Sequence, residues 1–206
     1  MRSSALIAAA AILLVGCASA TPPSPTGSTD TANENIVVPN FDGPWAEDFA
    51  SAYRDSRSDF ERKALSDGSI SDAEFAEMEN RFKTCLESKG IPFSGFKPGG
   101  GYKFQYPSGM DSKKANTIAD ECSADSGLNT LGSLYFAMQR NPQNLDEPSI
   151  ISACLVERQV VPKGYGASDY NKDAAEMTFP FTDEKRGQEE LEACTADPLG
   201  MLDPTQ

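Results

Sequence analysis

Four cysteines beyond residue 80, Cys85, Cys122, Cys154 and Cys194, are the residues whose chemistry is easiest to name. Their intervals contain no Cys-x-x-Cys, so a thiolate metal site is not indicated, and an even number in an exported chain reads as two disulfides. The 206 residues include no histidine. Its absence removes Ser-His-Asp and Cys-His nucleophile activation and zinc sites built on imidazole, and leaves neutral-pH proton transfer to shifted carboxylates, tyrosine or lysine.

Three other patterns hint at chemistry and lack an essential part. In Asp67-Gly68-Ser69-Ile70-Ser71-Asp72-Ala73-Glu74, Gly68, Ile70 and Glu74 match the sixth, eighth and twelfth positions of an EF-hand loop. The first and third ligand positions then fall on Lys63 and Leu65, and an ammonium where calcium needs a carboxylate is repulsive. Ser94-Gly95-Phe96-Lys97 has the Ser-x-x-Lys spacing of penicillin-recognising enzymes. That serine lies in a Gly/Pro-rich turn rather than at a helix start, Ser168-Asp169-Tyr170 lacks the asparagine, and Lys163-Gly164 lacks the threonine. Glu74, Glu77, Glu79, Glu189, Glu190 and Glu192 offer carboxylate pairs for glycoside cleavage, but at helical spacings that suit a solvated face. No catalytic residue, metal ligand or cofactor is therefore assigned. The tyrosines beside Gly99-Gly100-Gly101 and Gly164-Tyr165-Gly166 are the candidate ligand surface. Tyr102, Tyr106 and Tyr165 sit on or near loops without bulky neighbours, where a phenol ring can stack on a sugar or peptide.

The elements that must carry these residues repeat. Asp111 leads in eleven residues to Cys122-Ser123-Ala124-Asp125, and Asp183 leads in eleven to Cys194-Thr195-Ala196-Asp197. Likewise Cys85-Leu86 runs to Ile91-Pro92, and Cys154-Leu155 to Val161-Pro162. Each half has a Gly-rich turn and an alternating aromatic run, Tyr102–Tyr106 and Met177–Phe181. The expectation is a duplicated helix–turn–strand–helix unit with Cys85 paired to Cys122 and Cys154 to Cys194. Each bridge would close a loop of about 40 residues, contributing about 4 kcal/mol by chain entropy. Pairing across the copies stays open at this level.

Apolar spacing predicts six helices. Pro44 starts the first, with Trp45, Phe49, Ala52, Ser56 and Phe60 on one face to about Leu65. Ser71-x-x-Glu74 has capping-box spacing and opens a second helix with Phe75, Met78, Phe82 and Cys85 on one face, ended by Gly90. Further helices run from Asp111 to Cys122, over Leu128–Met138 up to Asn141-Pro142, around Ile150–Leu155 after Pro148, and from Asp183 to about Ala196. The two aromatic runs are the strand candidates, Pro180 holding the second to an edge. The expected class is mainly α with short β elements (α+β), with residues 41–200 as a single domain and 201–206 as a tail.

The N-terminal stretch bears on location. Arg2, an apolar run from Ala5 to Val15 too short to span a bilayer, and Gly16 form a signal-peptide pattern over residues 1–16. Leu14-Val15-Gly16-Cys17 resembles the lipobox of bacterial lipoproteins. The resemblance implies a mature chain beginning at Cys17 with thioether-linked diacylglycerol and fatty acyl chains such as palmitate, anchored on the outer face of the cytoplasmic membrane. Two acyl chains hold a protein firmly where one is marginal. Residues 17–40 are dense in Ser, Thr, Pro and Asn, which predicts a disordered spacer. With the lipobox, the Asp67-Gly68-x-Ile70-x-x-x-Glu74-Phe75 corner and the Cys85-Leu86 helix resemble cysteine-containing lipoproteins of high-GC Gram-positive bacteria, a resemblance that implies no activity.

The whole chain carries 18 basic and 31 acidic residues, a formal charge of −13, which argues against nucleic acid and against electrostatic binding to anionic headgroups. The expected function is a non-catalytic binding or interaction module of the cell envelope. Its partners are the membrane through the lipid anchor and an envelope protein or cell-wall glycan. The alternatives are a carboxylate-dependent cell-wall glycan hydrolase and a solute-binding lipoprotein of a transporter.

Overall fold

The computed structural model describes residues 36–202, which belong to one compact unit. The expected signal peptide, the expected lipidation site Cys17 and most of the expected linker lie outside the described residues, as do 203–206. Eight α-helices follow in order: α1 (Ala46–Asp55), α2 (Asp59–Leu65), α3 (Asp72–Ser88), α4 (Ser112–Ser126), α5 (Ser133–Arg140), α6 (Glu147–Glu157), α7 (Ala167–Glu176) and α8 (Glu184–Ala196). A π-helical turn, Leu128–Gly132, leads into α5. None of the described helices is long and apolar enough to cross a membrane.

Local chemistry sets most helix starts. Ser71 Oγ accepts the Glu74 N–H while the Glu74 carboxylate accepts the Ser71 N–H at 2.9 Å, so both free amides are satisfied. Asp111, Asp146 and Asp183 cap α4, α6 and α8 by accepting the N–H three residues on. The expected single first helix is two. Ser58 Oγ accepts the Glu61 N–H, and Glu61 Oε2 accepts the Arg57 N–H and the Ser58 hydroxyl, so a second cap interrupts the apolar spacing at Ser56–Ser58. Helix α7 was not expected. It starts where the Asp169 carboxylate accepts the Gly166 N–H and stops at Met177, which takes a left-handed φ of 51°.

The short β elements are corrected. Among the described residues no strand forms. The Tyr102–Tyr106 run contributes one isolated antiparallel bridge, Phe104 with Phe93, and Met177–Phe181 joins no ladder. Alternation here packs rings rather than pairing backbones. Tyr102 lies edge-on to Phe82 at 5.1 Å, and a side chain at Gly187 would overlap the Phe181 ring, which rests on α8.

Two disulfides join helices as the internal repeat implied. Cys85–Cys122 links α3 to α4 with Cα atoms 5.6 Å apart, and Cys154–Cys194 links α6 to α8 at 5.8 Å. Beyond that helix pair the halves diverge, since α7 has no counterpart in the first. Each bridge belongs to its own apolar cluster. The first gathers Phe49, Leu65, Met78, Phe82, Leu86 and Ala119 from α1–α4, Leu131 from the π turn and Leu134 from α5. The second gathers Ile151, Leu155, Val160, Val161 and Tyr165 from α6 and the chain after it, with Cys194 and Leu191 from α8.

Polar residues join the pieces. Fully buried Asn141 donates Nδ2–H to the Leu145 carbonyl (2.8 Å) and Glu147 Oε1 (3.0 Å), its Oδ1 accepts the Leu145 N–H, and its carbonyl accepts Trp45 Nε1–H. Buried Glu61 accepts the Thr130 hydroxyl at 2.6 Å, which holds α2 against the π turn.

Candidate functional site

A cleft of about 260 Å³ opens between α3, α5 and the loop before Tyr102. Helix α3 supplies Phe75 and Glu79, α5 supplies Tyr135, Phe136 and Gln139, the loop supplies Phe96–Gly99, and Leu202 completes the lining. Its floor is a continuous aromatic surface. Phe75 stacks on Tyr135 at 4.1 Å, and Phe136 stands edge-on to Phe75 at 5.1 Å and near Phe96 at 5.2 Å. Tyr135 donates its hydroxyl to Asp72 Oδ1 at 2.9 Å. Burial, then the acceptor and negative charge of Asp72, raise its pKa, so it stays a neutral donor. Glu79 and Lys97 put one charge of each sign at the rim, and neither has a salt-bridge partner among the described residues.

The Gly99–Gly101 loop, expected to present Tyr102 without bulky neighbours, is instead packed. Gly100 holds φ at 93°, and a Cβ there would lie 2.6 Å from the Phe136 ring. A Cβ at Gly99 would meet the Ala196 carbonyl oxygen at 3.0 Å. The loop is thus seated on α5 and on the end of α8, closed by Lys97 N–H to the Gly101 carbonyl at 2.6 Å.

The three tyrosines chosen from sequence do not form one surface. Tyr165 is buried in the second cluster and donates its hydroxyl to Asp173 Oδ2 at 3.1 Å. Burial first, then Asp173, push its pKa well above the usual phenol value. Tyr102 is half-buried among Phe82, Phe96 and Phe104 in the first cluster. It also lines a broader groove, about 630 Å³, shared with Lys97, Lys103, Glu189 and Glu192. Tyr106 is exposed.

The other patterns serve structure. Glu74 is engaged in its cap, Asp67 accepts from Ser69, Leu65 is fully buried, and no group of three or more potential metal-ligating side chains forms among the described residues. Ser94 is exposed in a loop. Glu77 pairs with Arg81, Glu189 with Lys185 and Glu190 with Arg158. The sequence reading missed the cleft because Phe75, Phe96, Tyr135 and Phe136 come from three separate segments, and helical spacing placed Phe75 and Tyr135 simply among apolar faces. The one readable trace was the Gly99-Gly100-Gly101 run, which marks a close approach as readily as a flexible loop. No family model matches the chain, and no curated protein or solved structure matches it.

Proposed function

We propose that this chain is a lipoprotein, acylated at Cys17 and tethered by residues 17–40 to the outer face of the cytoplasmic membrane, where its helical body acts as a non-catalytic binding module. The observation that carries the binding reading is the aromatic cleft, a concave surface that sets four aromatic rings beside the polar groups of Glu79, Lys97 and Gln139, a mixture of apolar walls and orienting polar groups that recognition sites use. The paired cysteines support an oxidising location. A glycan hydrolase would need two carboxylates facing one another across its site. In the cleft Glu79 stands alone among aromatic and neutral side chains, with Lys97 the other charge, an arrangement that favours binding over hydrolysis.

Capture of the acylated protein from cross-linked envelopes tests this reading, with a Phe136→Ala variant as control. A discrete envelope component recovered by the unsubstituted protein and lost with the variant is the expected result. Recovery of bulk membrane protein alone, or equal recovery by both, would overturn it.

A further inference from the structure

The run from Tyr102 to Tyr106 has the shape of a strand and almost none of its pairing. Rings two residues apart stand in a row, Tyr102 to Phe104 at 6.0 Å and Phe104 to Tyr106 at 6.4 Å. Lys103 and Gln105 between them are exposed, which is the alternation of an extended backbone. Apart from the single bridge of Phe104 to Phe93, these five residues make no main-chain hydrogen bond among the described residues. The flanking bonds stop short of the run: Lys97 N–H donates to the Gly101 carbonyl before it, and Met110 N–H to the Pro107 carbonyl after it. Successive residues of an extended chain turn their amides to opposite edges, so Phe93 meets one edge at one point and the other edge stays open.

The start of that run borders a groove of about 630 Å³. Gly101, Tyr102 and Lys103 form one wall, and Leu191 and Glu192 of α8 stand on the other. None of residues 93–95 is in the lining, which puts the groove on the side of the run away from the bridge. Gly99, whose Cβ would meet the Ala196 carbonyl oxygen at 3.0 Å, seats the loop on α8 and sets the spacing of the walls. Their charges are opposed. Lys97 and Lys103 come from the loop, Glu189 and Glu192 from α8, and no ion pair joins the two sides among the described residues. An open strand edge supplies main-chain bonds to an extended peptide, and pockets beside it select alternate side chains.

We infer that this groove takes an extended peptide segment, which pairs its backbone with the open edge of the run. The segment carries an acidic side chain for Lys97 and Lys103 and a basic one for Glu189 and Glu192. The groove shares residues 97–99 with the aromatic cleft and no other lining, so the inference stands apart from what the cleft binds. A second copy of the chain is a poorer occupant. It would bring two formal charges of −13 together, and lysine on an open edge guards against such self-pairing.

The test is amide hydrogen exchange followed by NMR on the full chain, titrated with acetyl-Thr-Glu-Val-Lys-Thr-amide. Binding should saturate and slow exchange at alternate amides between Tyr102 and Tyr106. Two further peptides, one N-methylated at Glu and Lys and the other at Val, block opposite edges of the probe. One of them should lose binding and the other keep it, because a single edge of the peptide pairs. Gln in place of both peptide charges should weaken binding, by up to about fivefold for each pair lost, and Glu192→Lys in the protein should weaken the parent peptide by a similar factor. No saturable binding, the same result with both N-methylated peptides, or binding indifferent to charge would overturn the inference. So would protection of the run that grows with chain concentration in the absence of peptide, which would assign the edge to a second copy.

Discussion

Replacing Gly100 by alanine asks whether the triple glycine is a packed wall of the cleft or a free ligand loop. Two effects act together. At φ 93° a Cβ crowds its own backbone, a left-handed penalty on the order of 1–2 kcal/mol. The new methyl would also lie 2.6, 2.8 and 3.2 Å from three atoms of the Phe136 ring. Ordinary carbon contacts begin near 3.5 Å, and overpacking of this kind costs about 1–3 kcal/mol. A combined loss of about 2–5 kcal/mol corresponds, for a chain of this size, to roughly 4–20 °C in Tm. Gly101→Ala is the control: nothing lies within 4 Å of its Cβ position and its φ is not positive, so the change should stay within about 0.5 kcal/mol. Urea unfolding of Gly100→Ala, Phe136→Ala and the double variant separates the two effects. With the ring gone, the methyl should retain only its backbone penalty, so the single losses should not add. Equal stability of Gly100→Ala and Gly101→Ala, or strict additivity with Phe136→Ala, would refute a loop seated on α5.

Glu61→Ala should destabilise by about 1–3 kcal/mol in the same urea assay, because the Arg57 N–H and the Ser58 hydroxyl lose their acceptor and Thr130 keeps only the Gly127 carbonyl, while Glu61→Gln should lose less by keeping an acceptor. The raised pKa of Tyr165 makes its neutral form the one the fold prefers. Its contribution is complete below the unfolded phenol pKa near 10 and is lost as pH rises toward the higher folded value. Thermal unfolding at pH 8 and pH 11 should therefore show a smaller alkaline loss for Tyr165→Phe than for the unsubstituted chain. Non-reducing peptide mapping should find Cys85 joined to Cys122 and Cys154 to Cys194, and removing either bridge by paired alanine substitution should cost about 4 kcal/mol.

The sequence was legible where one short-range interaction decides the structure. Ser71 with Glu74, and the Asp111 and Asp183 caps, act over three residues and sit where their spacing predicts. The disulfide pairing followed from the echo of Asp111–Cys122 in Asp183–Cys194, since matching helix pairs bring matching cysteines together. The same grammar was present in Ser58-x-x-Glu61, where the cap outweighed an apolar spacing that continued through it. The aromatic alternation misled because period two describes any extended run with one face on a core, and a strand also needs a neighbour; Phe104 has only Phe93. Helix α7 was hidden by its small and polar composition, Ala167–Glu176 carrying Tyr170 as its one large apolar side chain and no buried residue. The cleft needed the tertiary fold, since Phe96 and Phe136 lie far apart in the chain and Leu202 reaches it only through the turn held by Asp197.

Location and tether underlie the whole functional proposal, and intact-mass and N-terminal peptide spectrometry of protein taken from native membranes tests them directly. The account predicts a chain that starts at Cys17, carries a diacylglyceryl thioether, and gains four hydrogens on reduction of its two bridges. An unacylated chain that keeps residues 1–16, or free thiols at Cys85, Cys122, Cys154 and Cys194, would contradict it.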